Sequence, residues 1–450
     1  MSGPGIDIEH QARTGIRHQV FFLLFVAVSL ICYGMLGYRF QRYESGPLVT
    51  CLLILFTAYG WMISRGSLLG SSMVLIAAIL LRLVFLFSMP ALSDDVYRFL
   101  WDGWLWDHGH DPFLYTPREL MTQGIGEPHL FALLGNRDSH TVYPLIPMGL
   151  ARIAVHFSDD LNGRIIILRV AHLAAEAGTL LMMTSLFRRW QLPRVAVAAY
   201  ALNPLVILEL TGNLHHEAFV IFFLVAALWM LEQNRDVAAG VLFAGAVSSK
   251  LLPMIFLPAW WAALGRKRGT RLVMVVVPVV LISLVPQLTS GFFNGMRSGL
   301  ELYFNRFEFN ASLWYLIRAV GELLAGFNII RMAGPVMVVC GGMMILYLSL
   351  RNGLPQEESE WRKRIPAMMV TVLTVYLVFA TTVHPWYLAP LVAFAWPAGH
   401  RYPLAWSGLA MFTYLGYHRT GFSEVWWVVL LEYLVVFSLW LYEWRKARTH

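Results

Sequence analysis

The chain has 450 residues, 58% hydrophobic and only 14% charged, with a mean hydropathy of +0.59 and a net charge of +7. Apolar runs of membrane-spanning length recur from end to end, which excludes a soluble domain and predicts an all-α, polytopic membrane protein. The basic balance is not read as nucleic-acid binding: no basic-aromatic groove accompanies it, and the placement of Lys and Arg matters more than their sum.

Residues 1–17 are polar, include Arg13 and Arg17, and are expected to form a disordered cytoplasmic tail ahead of one integral-membrane domain, 18–450. The first apolar run, 18–38, is too long for a signal peptide and leads directly into further spans, so it is read as a retained helix. Spans are then expected near 47–64 and 69–88, followed by a large outer loop over 89–162. More follow near 163–187, 193–211, 216–232, 237–250, 252–265 and 270–288, then a second outer loop over 289–329 with a short helix at 312–327. The last lie near 330–350, 364–382, 387–399, 401–417 and 424–444, for about 12–14 spans in all. Cys32, Cys51 and Cys340 sit inside apolar runs, so neither a disulfide framework nor a cysteine metal site is expected.

The stretch 93–113, SDDVYRFLWDGWLWDHGHDPF, opens the first outer loop. Ser93 suits a helix N-cap, with Asp94 and Asp95 in the first turn, where the helix dipole favours anions. At 100° per residue Val96, Tyr97, Leu100, Trp101 and Trp104 share one face, and Asp95, Arg98 and Asp102 the other. Such a helix is expected to lie flat in the membrane interface, holding its carboxylates at the bilayer edge.

Four basic clusters set the orientation: Arg188, Arg189 and Arg194; Arg266, Lys267, Arg268 and Arg271; Arg351, Arg362, Lys363 and Arg364; Arg445, Lys446 and Arg448. All four and both termini face the cytoplasm if 143–157 and 312–327 do not cross, which leaves Arg39 and Arg42 as dissenters outside. Arg82, Arg169, His172, Glu176, Glu209 and Lys250 then fall in the outer halves of their spans, beside the turns 213–217 (NLHHE) and 384–387 (HPWY). Intramembrane charges cost about 2.5–3.5 kcal/mol each on insertion scales, so a polar cavity open to the outside is the simplest account.

Each of these residues has a plainer reading. Asp94 and Asp95 equally suit helix-terminus charges, and His215, His216 and Glu217 suit interfacial capping. Lys250, before the helix break at Pro253, suits snorkelling as well as a lipid-phosphate contact, and Arg169, His172 and Glu176 suit a structural buried pair. His384 alone suits a capping role, and the run 305–315, NRFEFNASLWY, is polar-aromatic without being specific. No Walker motif, GxGxxG, nucleophile elbow, HExxH or other metal-ligand spacing is present.

SDDVYRFLWDG followed by HDPF and TVYP resembles the first outer loop of GT-C glycosyltransferases. The stretches YALNPLVILELTGNLHHEAF, AAGVLFAGAVSSKLLPMIFLP and TVHPWYLAP are similar to the polyprenyl-phosphate-mannose-dependent mannosyltransferases of that class, mycobacterial members included. The resemblance covers most of 85–395 and implies a GT-C-type bundle in the cell membrane with its site facing the periplasm or exterior. It implies inverting transfer of a sugar, mannose by this likeness, from a polyprenyl-phosphate donor to a glycolipid or glycan acceptor. Asp95 is implied as the base, with Asp94 its close second; Arg98, Tyr143, His216, Glu217, Lys250 and His384 are implied as substrate contacts. No cofactor beyond the donor lipid is implied, and a divalent metal is left open. A multi-pass transporter or flippase is the competing reading, since helix breaks and clustered intramembrane charges would suit one.

Overall fold

The structure is a computed structural model that describes residues 5–65, 70–305, 307–351, 353–355, 357 and 359–448. It is a helical bundle, and the extended structure among the described residues is a two-residue hairpin, Tyr417–His418 against Gly421–Phe422, and one isolated bridge, Phe309 with Thr382. The first helices are α1 (Gly5–Tyr38), α2 (Ser45–Ser64), α3 (Ser71–Leu83), α4 (Asp95–Asp107), α5 (Pro117–Thr122), α6 (Pro128–Leu133) and α7 (Leu145–Phe157). The middle of the chain forms α8 (Leu161–Arg189), α9 (Val195–Ala201), α10 (Pro204–Val206), α11 (Glu217–Glu232), α12 (Asp236–Ser249) and α13 (Leu257–Leu284). The last third adds α14 (Phe292–Asn305), α15 (Leu313–Ala325), α16 (Ile330–Leu350), α17 (Trp361–Phe379), α18 (Ala389–Ala395), α19 (Tyr402–Ala410) and α20 (Trp426–Arg448).

Six helical stretches are long and apolar enough to cross a membrane, or seven if the bent pair Val195–Ala201 and Pro204–Gly212 counts as one span. The all-helical polytopic class expected from sequence therefore stands, and the larger span count arises because the sequence reading also takes shorter apolar helices as crossings. One of the six, Leu252–Gln287, breaks at Gly265, whose φ of 76° is a left-handed conformation that glycine adopts freely. That break separates the expected spans 252–265 and 270–288. Helix α1 already begins at Gly5, so the expected disordered tail is helical from there on, and residues 1–4 lie outside the described set. Large apolar side chains point outward from the long helices, among them Leu23, Met274, Met332 and Leu430, as a lipid-facing surface requires.

Inside, α11 packs between α8 and α12, α12 against α13, and α16 against α17. The expected buried pair on α8 exists, but its partners come from other helices. Glu176 pairs with Arg82 of α3 at 2.8 Å, both side chains fully buried, and accepts the Tyr200 hydroxyl at 2.6 Å. Three of the basic clusters meet at one end of the bundle. Arg268 and Arg271 both bind Asp236, Arg362 binds Glu232, and Trp190 packs edge-on against Trp361. Along α8 that end lies ~30 Å from the level of Arg169, about the thickness of a hydrocarbon core.

Helix α7 has 13 residues and rises only ~20 Å, and it lies along α4 rather than across the bundle. Gly103 makes the approach possible: a Cβ there would meet the Ala151 carbonyl carbon at 2.5 Å. Val96, Phe99, Leu100, Trp101, Asp102 and Leu105 are all buried, so α4 is wrapped by α6 and α7. It is more deeply buried than its Trp-rich face suggested. Asp102, expected on a polar face, is buried and held by Arg98 at 3.0 Å.

Candidate active site

Four chain breaks meet at the end of the bundle opposite the basic clusters: the turn before α4, the turn after residue 212, the break at Lys250, and the turn at His384. Buried Arg169 ties the first two together. Its Nε donates to the Thr211 carbonyl at 3.1 Å, Nη2 to Gly212 at 3.0 Å, and Nη1 to the carbonyls of Phe85 and Ser88. Asn213 adds a second tie, accepting from the Leu92 amide and donating to Glu209. Before this turn, Ile207–Gly212 winds as a π-helix, and Leu214 is held at φ 63°, which costs a non-glycine residue about 1–2 kcal/mol. Wide and left-handed turns of this kind gather at functional sites.

The strained turn sends its two histidines to opposite sides. His215 stacks on Trp386 at 3.7 Å, with Nδ1 3.8 Å from an Asp95 oxygen and Nε2 3.2 Å from Glu209. Whichever ring nitrogen carries the proton, a carboxylate faces it. Glu209 is held by the Tyr414 hydroxyl at 2.8 Å, which completes a line from Tyr414 through Glu209 and His215 to Asp95. His216 instead stacks on Phe99 at 4.1 Å and lies 5.4 Å from the His172 ring.

Asp95 keeps 36% of its side chain exposed. Its pKa is raised nonetheless: removal from water dominates, Asp94 and Glu217 add to it, and His215 and Lys250 oppose it. Asp94 turns away to form a bidentate pair with Arg42, both nitrogen–oxygen distances being 3.2 Å, and Arg42 stacks on Tyr417 at 4.7 Å. Arg42, a dissenter from the charge rule, thus has an acidic partner at the cavity wall. Helix α4 starts at Asp95 with Asp94 in the cap position, and the Ser93 hydroxyl accepts from the Asp95 amide at 3.3 Å.

Lys250 pairs with Glu217 and sits over the Tyr387 ring at 4.1 Å. The three border a narrow crevice, about the size of one water, whose other walls are Val220, Leu252, Pro253, Phe256, Leu373 and Pro390. His384 stacks on Trp386 at 4.3 Å and on Phe309 of the second loop at 4.5 Å, and burial, with His215 and Lys250 nearby, lowers its pKa well below the ordinary value. The run 305–315 is therefore drawn to the cavity through Phe309, while Arg306 lies outside the described residues.

The structure thus brings together Asp94, Asp95, Glu217, Lys250 and His384, with His216 and Tyr143 one ring further out, since Tyr143 meets Phe99 edge-on at 4.8 Å. Arg98 does not join them: it binds Asp102 and the Ser139 carbonyl. Sequence reasoning gave no site role to His215, Glu209, Arg42 or Trp386. The HH pair gave no sign of which ring faces Asp95, because the left-handed Leu214 decides it. Among the described residues no three His, Cys, Asp or Glu side chains converge in a metal-holding arrangement.

Fold and site define a multi-pass helical membrane protein whose polar groups gather at one end around a carboxylate, a lysine and a narrow, mostly apolar crevice. The sequence model of the family described as alpha-(1->6)-mannopyranosyltransferase, N-terminal domain, matches residues 38–266, just over half of the chain, and the chain belongs to that family. It is 28% identical over 220 residues to alpha-(1->6)-mannopyranosyltransferase A of Mycobacterium tuberculosis, covering 44% of this chain and 39% of that protein. It is 23% identical over 352 residues to alpha-(1->6)-mannopyranosyltransferase B of Corynebacterium glutamicum, covering 68% and 56%. To protein A of the same organism it is 23% identical over 345 residues, covering 68% and 67%. The chain therefore spans between two-fifths and two-thirds of the length of these relatives.

Proposed function

We propose that the protein is a membrane mannosyltransferase that moves one mannose from a polyprenyl-phosphate donor to a hydroxyl of a cell-envelope glycan or glycolipid, forming an α-(1→6) bond. The carrying observation is that Lys250 lies within electrostatic reach of Asp95 and borders a narrow, mostly apolar crevice. The isoprenoid chain, drawn from water at about 0.8 kcal/mol per buried CH₂, stays in the bilayer beside it. Lys250 meets the phosphate, where negative charge develops as the bond breaks. The acceptor oxygen attacks C1 of the mannose, the C1–O bond to phosphate breaks, and the hydroxyl proton passes to Asp95. Inversion with an α product requires a β-linked donor. His215, between Asp95 and Glu209, orients the base. The clustering of basic loops at the opposite end supports a cavity facing away from the cytoplasm.

The test is transfer by the full chain in nanodiscs, with a panel of polyprenyl-phosphate sugars and mass spectrometry with linkage analysis of the products. Failure to transfer from every donor, together with movement of an intact lipid-linked sugar across the bilayer, would replace the enzyme with a flippase.

A further inference from the structure

A second cleft, of about 290 Å³, opens at the other end of α4. Its walls are Trp106, His110, Asp111 and Phe113 on one side and Gln287 and Thr289 on the other. Asp111 fastens the walls together: Oδ1 accepts from the Phe113 amide at 2.8 Å and Oδ2 from the Gly291 amide at 3.0 Å. Gly291 permits the approach, since a Cβ there would lie 2.5 Å from the Leu114 backbone. Gln287 is 2% exposed, and its Nε2 donates to the Tyr143 carbonyl at 3.1 Å. Its Oε1 has no hydrogen-bond partner among the described residues, a shortfall that costs about 1–3 kcal/mol when buried.

The donor set narrows the ligand. An apolar molecule would leave the amide oxygen and the imidazole unpaired. An anion would meet the Asp111 carboxylate and acceptor oxygens, and for a cation both Asp111 oxygens are already engaged by backbone amides. A neutral polyhydroxylated ring fits: one apolar face against Trp106, hydroxyls toward Gln287, His110 and Thr289. Trp106 and Asp95 are eleven residues apart on α4, ~16 Å along its axis. Tyr143 bridges the two sites, its ring on Phe99 beside His216 and its carbonyl on Gln287. A monosaccharide cannot reach both ends; a short oligosaccharide can.

Resting on the transferase reading, we propose that this cleft is a distal carbohydrate subsite that holds a remote sugar unit of an oligosaccharide acceptor and makes the protein prefer acceptors several units long. The experiment uses the full chain in nanodiscs, polyprenyl-phosphate mannose, and acceptors from an alkyl mannoside to a linear α-(1→6)-mannotetraose. The wild type should favour the tetrasaccharide in kcat/KM, and Trp106→Ala and Thr289→Val should each cut that preference about 10-fold, the effect of losing ~1.4 kcal/mol of binding. Thr289 is exposed, so its variant keeps the test sound if Trp106→Ala misfolds. An unchanged preference in a folded variant overturns the inference. Saturation-transfer NMR of mannotetraose without donor separates the two readings. Binding that both variants weaken supports the subsite even if no sugar is transferred, whereas absent binding, or equal binding by wild type and variants, overturns it.

Discussion

Asp95→Asn removes charge and basicity while nearly preserving volume. If Asp95 takes the acceptor proton, turnover should fall by about 10²–10⁴-fold, or roughly 2.7–5.5 kcal/mol of barrier. Folding should survive. A carboxyl whose pKa is raised on folding stabilises the fold while protonated, at low pH, and that contribution is lost as pH rises through the raised value. At neutral pH the ionised form is the disfavoured one, so the neutral amide should be at least as stable. The same shift predicts that wild-type turnover drops, as pH is lowered, at a higher pH than an ordinary aspartate would give. Asp94→Asn is the internal comparison. It disrupts the Arg42 pair, but both members are 31% exposed, so the loss should be about 0.2–1 kcal/mol. The assay is single-turnover transfer at saturating donor over a pH series. Normal turnover by Asp95→Asn and by the Asp94→Asn, Asp95→Asn double variant would refute the mechanism and move the base to Glu209 or Glu217.

Lys250→Ala should raise the KM for donor, read at limiting polyprenyl-phosphate mannose, whereas Arg98→Ala should lower thermal stability by unpairing buried Asp102 and leave donor KM near the wild-type value. Equal effects of the two on donor KM would reverse that assignment. Gly103→Ala should destabilise by about 1–3 kcal/mol, because the added methyl meets Ala151 backbone; an unshifted melting curve would show that α4 and α7 separate easily. For topology, Gln123→Cys and Asn294→Cys should react with an impermeant thiol reagent added outside intact cells, and Lys267→Cys should not. Labelling of Lys267→Cys alone would invert the orientation.

The helical class, the polar end of the bundle and the placing of Asp95 and Lys250 there were legible because each has a local signature: apolar runs, one-sided intramembrane charge, and a proline break after a lysine. Arg98 misled because α4 was read as an isolated helix with a wet face. Asp102 meets Thr141, 39 residues onward, and Arg98 meets Ser139, 41 residues onward, and no periodicity in 93–113 records that. His215 was hidden for the opposite reason: two adjacent rings differ only through the φ of Leu214. Arg42 read as an error in the charge pattern, yet its partner Asp94 lies 52 residues away, ahead of α4.

The Arg82–Glu176 pair has a consequence for the order of assembly. The partners lie 94 residues apart, and neither has solvent to fall back on. At translation rates of about 5–20 residues per second, Arg82 must wait about 5–20 s for Glu176 to be made. Alone in lipid it would cost about 2.5–3.5 kcal/mol on insertion scales. Helix α3 should therefore linger beside the insertion machinery until α8 emerges and leave in its company, so nascent chains halted before residue 176 should still crosslink there through α3, and those halted well beyond α8 should not. Arg82 and Glu176 would then be paired before Lys250 and Pro253 have been synthesised.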